Sequence, residues 1–229
     1  MDADVPQCEG LVRMSLSPLR QFVLGAALWL PMAFFLWAVL SSAVVWPVAR
    51  ATSVLLPAAW PDMVESVQQS GAVLEVTTQL ATTGPDGRKG VLVLTVTPLI
   101  YAWCLALYAG LVMATPLDAR GRLRQLAIGL PLLWLTTTWG AVFDVLKLLA
   151  FDAGPLGAAA VERAGWARDG VALGYQFGYL ILPAVTPVAL WVLQNRGFLE
   201  RLVGAPVEPA GAGEGPRQTD GTSRTGERP

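Results

Sequence analysis

The chain has 229 residues, 54% of them hydrophobic and only 14% charged, with a net charge of −1 and a mean hydropathy of +0.50. Soluble domains carry about 25% charged residues, so this is membrane-protein composition, and no basic patch interleaved with aromatics points to nucleic acid. With no histidine and only two cysteines, Ser-His and Cys-His nucleophile activation and the usual zinc sites are excluded.

Residues 1–19 read as a cytoplasmic N-terminal segment, with Met14 (MSLSPLR) an alternative start. No charge appears from Gln21 to Ala49, between Arg20 and Arg50. A span needs about 20 apolar residues, so a first transmembrane helix is predicted over 21–49. Pro31 would kink it, and Trp29, Trp37 and Trp46 lie along it. A secretory signal cut after Ser41-Ser42-Ala43 is the rival reading, but its apolar core would be only about 7–15 residues long.

The sizeable non-membrane segment runs from Pro57 to Thr97. Asp62–Gln69 reads as a short surface helix or an irregular link. The period then changes to two: Leu74, Val76 and Leu80 share one side, Glu75, Thr77 and Gln79 the other, and Leu92, Leu94 and Val96 share a face further on. Gly84-Pro85-Asp86-Gly87 between them has turn chemistry. The pattern predicts a β-hairpin over about 72–97. A lone hairpin is marginal in water, so its apolar face must rest on the membrane surface, on helix ends or on a partner.

Three further helices are predicted over 98–115, 126–149 and 171–193. Arg120, Arg122 and Arg124 fall in the short loop between the first two of these, and residues 151–169 form a second outer loop with Trp166, Arg168 and Asp169. Residues 204–229 are rich in Gly, Pro, Glu, Thr and Arg and read as a disordered cytoplasmic tail. The arginine cluster in the shortest loop sets the orientation. The expected fold is therefore mainly α: a polytopic membrane protein with four transmembrane helices, both termini cytoplasmic, and a β-hairpin in the first extracytoplasmic loop. The four helices and the hairpin form one membrane domain over 20–203. Cys8 and Cys104 then lie on the cytoplasmic side and in lipid, and no disulfide is expected.

The stretch Thr136–Phe151 is the one apolar segment holding an acid and a base, Asp144 and Lys147. Three residues apart on a helix, they can pair. Asp144 lies 18 residues past Leu126, about 27 Å along a helix, which places the pair at the outer rim of the hydrocarbon. Thr136-Thr137-Thr138 suits helix packing. Gly170, Gly174 and Gly178 form a small-residue stripe that lets another helix approach, with Tyr175, Gln176 and Tyr179 alongside. Cys104 reads as a packing residue, with nothing nearby in sequence to lower its pKa. No residues point to a cofactor or a metal.

Three stretches carry a family resemblance: Trp29–Ala49 (WLPMAFFLWAVLSSAVVWPVA), Trp139–Phe151 (WGAVFDVLKLLAF) and Gly165–Leu199, from GWARDGVALGYQFGYL onward. Across about 19–202 the chain resembles the exosortase H-associated membrane proteins, a bacterial family. Exosortases are multi-pass membrane enzymes that cleave a C-terminal sorting tail with a Cys and its Arg and His partners. This chain has no His, so the resemblance implies a companion of an exosortase rather than the enzyme, and transfers no catalytic residue. The expected function is a non-catalytic accessory or scaffold subunit in envelope protein sorting, in the bacterial inner membrane. Its partners would be the lipid bilayer, an exosortase and a sorting substrate. Asp144, Lys147, Trp166, Arg168, Asp169, Tyr175 and Gln176 form its candidate docking rim. A small transporter or channel subunit using Asp144 and Lys147 is the alternative. A membrane enzyme built on Glu75, Asp144, Lys147, Arg168 and Asp169 is a weaker third, because their spacing matches no known catalytic grouping.

Overall fold

The computed structural model describes residues 18–83 and 89–204. The expected turn at 84–87, Cys8 and the tail beyond residue 204 lie outside the described residues. Eight helices and three strands are present among those described: α1 (Pro18–Val39), α2 (Ser41–Ala59), β1 (Val64–Ser70), β2 (Val73–Thr83), β3 (Lys89–Val96), α3 (Leu99–Ala114), α4 (Ala119–Lys147), α5 (Gly154–Arg163), α6 (Arg168–Gln176), α7 (Leu182–Gln194) and α8 (Arg196–Gly204). Two π-helical turns, Leu148–Asp152 and Phe177–Ile181, extend α4 and join α6 to α7. Four helical stretches are long and apolar enough to cross a membrane: Leu19–Val39, Ser41–Ala59, Ala119–Asp152 and Arg168–Gln194.

The single helix expected over 21–49 is two. The chain turns at Leu40 and α2 continues ten residues past Ala49. The break falls at Ser41-Ser42, a usual kink site, and Pro47 crowds the carbonyl of Ala43. Arg50 does not end α2, because it sits on the exposed side of the helix. The opposite stripe, Val45, Val48, Ala49, Thr52 and Leu56, is buried at helical spacing.

α3 is the centre of the bundle. It has 16 residues, short for a span, and packs against α1, α4 and α7. Gly25 and Gly110 allow α1 to lie directly on it: a Cβ at Gly25 would come within 3.0 Å of the Ala114 carbonyl oxygen, and one at Gly110 within 2.7 Å of Leu30. Away from α3, α1 turns Leu24, Leu28, Phe35 and Val39 outward, as a lipid-facing helix does.

The hairpin is part of a three-stranded antiparallel sheet in the order β1-β2-β3. Asp62–Gln69, expected as a helix or a link, supplies most of β1. The two-residue connection Gly71-Ala72 joins β1 to β2, and Gly71 has φ 63°, which a tight hairpin turn requires. Val64-Glu-Ser-Val lacks clean alternation because the register slips between Val64 and Ser66. A second slip lies in β2 between Thr77 and Ala81. There the buried Thr78 hydroxyl donates to the Leu92 carbonyl at 2.8 Å and accepts from the Leu80 amide at 3.3 Å, so the bulged backbone keeps its partners. The sheet rests on helices. Leu74, Val76, Leu94 and Val96 are buried in one cluster with Val45, Val48 and Leu56 of α2 and Phe143, Val145, Leu146 and Leu149 at the end of α4.

Three further boundaries differ from the sequence reading. Asp118 caps α4, its carboxylate accepting from the Gly121 amide at 3.2 Å. This N-cap puts Arg120, Arg122 and Arg124 on the first turns of α4 rather than in a loop. The expected outer loop 151–169 contains α5, an alanine-rich helix with Pro155 in its first turn, flanked by Gly154 (φ 70°) and Gly165 (φ 83°). The helix expected over 171–193 starts earlier, at Arg168, and passes through the π turn Phe177–Ile181. Pro183 offers no N–H and its ring crowds the Tyr179 carbonyl, and the π turn absorbs that mismatch.

Candidate functional site

Two polar layers lie at opposite ends of the bundle. At the arginine end, Tyr108 of α3 donates to Gln194 Oε1 and is also 2.6 Å from the Gln125 carbonyl. Gln125 and Asn195 exchange side-chain hydrogen bonds of 2.8 and 3.2 Å. Asn195 also donates to the Trp191 carbonyl at 2.8 Å, and the Trp191 indole donates to Thr115 Oγ1 at 2.9 Å. Each of these side chains has a partner, as low-dielectric surroundings demand; the Arg122 Nε beside Thr115 has none. This layer ties α3, α4 and α7 together.

The layer at the sheet end is built on glycines of α4 and α6. Gly140 is the seat for Tyr101, since a Cβ there would fall 2.7 Å from the tyrosine ring. Asp144 lies one turn further along the same helix. The Tyr101 hydroxyl is fully buried and faces Asp144 and Tyr175, without closing a hydrogen bond to either. Tyr179 meets Tyr101 edge-on at 6.1 Å, and Tyr175 stacks on Tyr179 at 5.9 Å with an interplanar angle of 4°. Tyr101, backed by Tyr179 and Tyr175, thus faces a carboxylate that is only 8% exposed.

Lys147 does not pair with Asp144. Its ammonium group donates to Asp152 Oδ2 at 2.8 Å and stands 5.9 Å from the centre of the Tyr175 ring. The π turn makes this possible. The Ala153 amide bonds back to the Leu148 carbonyl, five residues earlier, at 2.9 Å, and the wider turn brings Asp152 beside Lys147. Asp144, by contrast, points into the bundle toward α3.

The other side of α6 carries an aromatic row. Trp139 stacks on Phe143 at 4.6 Å, Phe143 meets Trp166 edge-on at 5.5 Å, and Trp166 meets Trp60 at 6.4 Å. The Trp139 indole donates to the Gly174 carbonyl at 3.2 Å. Of the glycine stripe, two members are occupied internally. Gly174 presses on the Phe143 ring, and a Cβ on Gly178 would come within 3.1 Å of the Gly140 backbone. Nothing packs on Gly170. It opens onto an apolar groove of about 510 Å³ lined by Trp139, Phe143, Trp166, Leu173, Phe177 and Ile181, with Gln176 at its edge.

The candidate rim is therefore divided by α6. Asp144, Lys147 and Tyr175 gather on one side; Trp166, Gly170, Gly174 and Gln176 on the other. Arg168 stands apart with its guanidinium 5.8 Å from the centre of the Phe151 ring, and Asp169 is exposed in the first turn of α6. Asp152, Gly140 and the Gln125–Asn195 pair were not singled out from sequence, and Tyr101 and Tyr108, whose type suits the membrane interface, are fully buried instead. Asp152 had a local signal, a carboxylate just past the lysine. The others meet only through long-range packing.

The three stretches Trp29–Ala49, Trp139–Phe151 and Gly165–Leu199 fall on α1–α2, the carboxylate-bearing end of α4 and the α6–α7 helix. The chain belongs to the exosortase H-associated membrane protein family. The family model matches residues 16–198, which takes in every described element except most of α8. No curated protein and no solved structure matches the chain. Its family marks it as an exosortase-associated membrane protein, and the sheet-end cluster lies inside the matched region.

Proposed function

We propose that the protein is a non-catalytic accessory or scaffold subunit that works with an exosortase in envelope protein sorting. It sits in the bacterial inner membrane with both termini cytoplasmic. The family assignment supports the partner. The observation that carries the scaffold reading is the gathering of the sheet, the aromatic row, the open groove and the Asp144–Lys147–Tyr175 cluster at one end of the bundle. Arg120, Arg122 and Arg124 stand at the other end, and the preference of basic residues for the cytoplasmic side turns the rich end outward, where exported substrates are processed.

In this reading the buried carboxylate and its tyrosines hold α3, α4 and α6 in register, and the exposed features around them dock the partner. The experiment is co-purification of a tagged copy with an exosortase co-expressed from the same cells, after detergent extraction. Recovery of the exosortase supports the reading; its absence, with both proteins present in the membrane fraction, removes it. The conduit alternative makes a different demand: flux in proteoliposomes that depends on Asp144 and Lys147.

A further inference from the structure

The two edges of the sheet are not alike. β1 is guarded: it carries Glu65, its register slips between Val64 and Ser66, and the Gln69 side chain is fastened to the Ser42 carbonyl at 2.8 Å. Charges and bulges of this kind are how natural proteins keep edge strands from pairing with other chains. β3 has one charge, Lys89, at its start, and none beyond it. Val91–Val96 reads VLVLTV, with no charge and no proline; the slip opposite Val91–Val93 places its extra residues on β2 and leaves β3 regular. Among the described residues, the bonds of Val91–Val96 outside the sheet ladder come down to one, the Thr78 hydroxyl on the Leu92 carbonyl. Its neighbour in the sheet is β2 alone. Val91 and Val93 are 51% and 50% exposed, while Leu94 and Val96 are buried in the core.

An open row of backbone N–H and C=O groups on a regular strand has one natural complement, another extended strand. We propose that β3 is a strand-addition site, taking an extended segment of the exosortase partner as a fourth strand of the sheet. The proposal rests on the accessory reading above. It adds where on this chain the association is made and by what chemistry: main-chain hydrogen bonds along Val91–Val96, with apolar side chains of the added strand beside Val91 and Val93. A partner strand is preferred to a second copy because the family is named for association with an exosortase.

The test introduces a photo-crosslinking amino acid at Val93, and as controls at Glu75 on the central strand and Leu135 on an exposed face of α4, in cells co-expressing the exosortase. Crosslinks to the exosortase from position 93, at least five-fold above both controls, are expected. The double variant Val91→Lys, Val93→Lys should lower exosortase recovery at least five-fold, while Val91→Thr, Val93→Thr should leave it unchanged, both at normal protein level. Exosortase recovery that persists with no crosslink at 93 and no effect of the lysines overturns the strand proposal and leaves the accessory reading intact. A crosslinked dimer of this chain at 93 overturns it in favour of self-pairing. Loss of exosortase recovery in the unmodified protein removes both.

Discussion

Lys147 pairs with Asp152, 2.8 Å away across the π turn, and leaves Asp144 to face Tyr101 inside the bundle. The side chains of the pair are 33% and 52% exposed, so the bridge belongs to the class of surface ion pairs worth about 0–1 kcal/mol. Asp152→Asn should therefore shift thermal unfolding in detergent by no more than about 1 kcal/mol. A loss several times larger would mean that the pair is desolvated in the membrane and holds the π turn closed.

The glycine stripe gives a sharper contrast. Gly174→Leu must push its side chain into the Phe143 ring, and overpacking of this kind costs about 1–3 kcal/mol. Gly170→Leu enters open groove and should be near neutral. Unfolding temperatures of the two variants in the same detergent decide the matter; equal temperatures would show that the α4–α6 contact is looser than described.

Leu74 and Val93 test which face of the sheet is anchored. Leu74 is 1% exposed within the α2–α4 cluster, and Val93 is half-exposed. Leu74→Ala should destabilise by about 2–4 kcal/mol and speed proteolysis of the sheet, and Val93→Ala should do neither. Limited proteolysis of the solubilised protein reads this directly.

At the arginine end, Gln125 and Asn195 satisfy each other. Asn195→Leu leaves a buried amide short of partners, for an expected loss of about 1–2 kcal/mol. Replacing both, Gln125→Leu with Asn195→Leu, should recover part of that loss. A double-mutant cycle showing simple additivity would contradict the pairing.

Much of the fold was legible because its signals are local. Charge-free runs marked the helices, and alternation at Leu74–Val76 and Leu92–Val96 marked two strands and their buried face. What escaped depended on contacts distant in sequence or on breaks in period. β1 hid behind a register slip. α5 lay in the segment read as an outer loop, where Gly154 opens a helix and Gly165 follows its end. The helix break at Leu40 was masked by unbroken hydropathy. In the site, the charges of Asp144 and Lys147 were visible but their partners were not. Three residues of separation suggested a mutual pair, and a π turn, which has no periodic signature, redirected Lys147 to Asp152. Tyr101 faces Asp144 only because Gly140, 39 residues further along the chain, offers no side chain.

The central claim is that the sheet end of this chain docks an exosortase. The most direct measurement is quantitative recovery of a co-expressed exosortase with tagged wild-type protein and with Trp166→Ala, Gly170→Leu and the double variant Val91→Lys, Val93→Lys, each corrected for its level in the membrane. Stable recovery is expected with wild type, and at least a five-fold fall in one or more variants whose unfolding temperature is unchanged. Undiminished recovery across all three would contradict docking at this end, and no recovery with wild type would contradict the association itself.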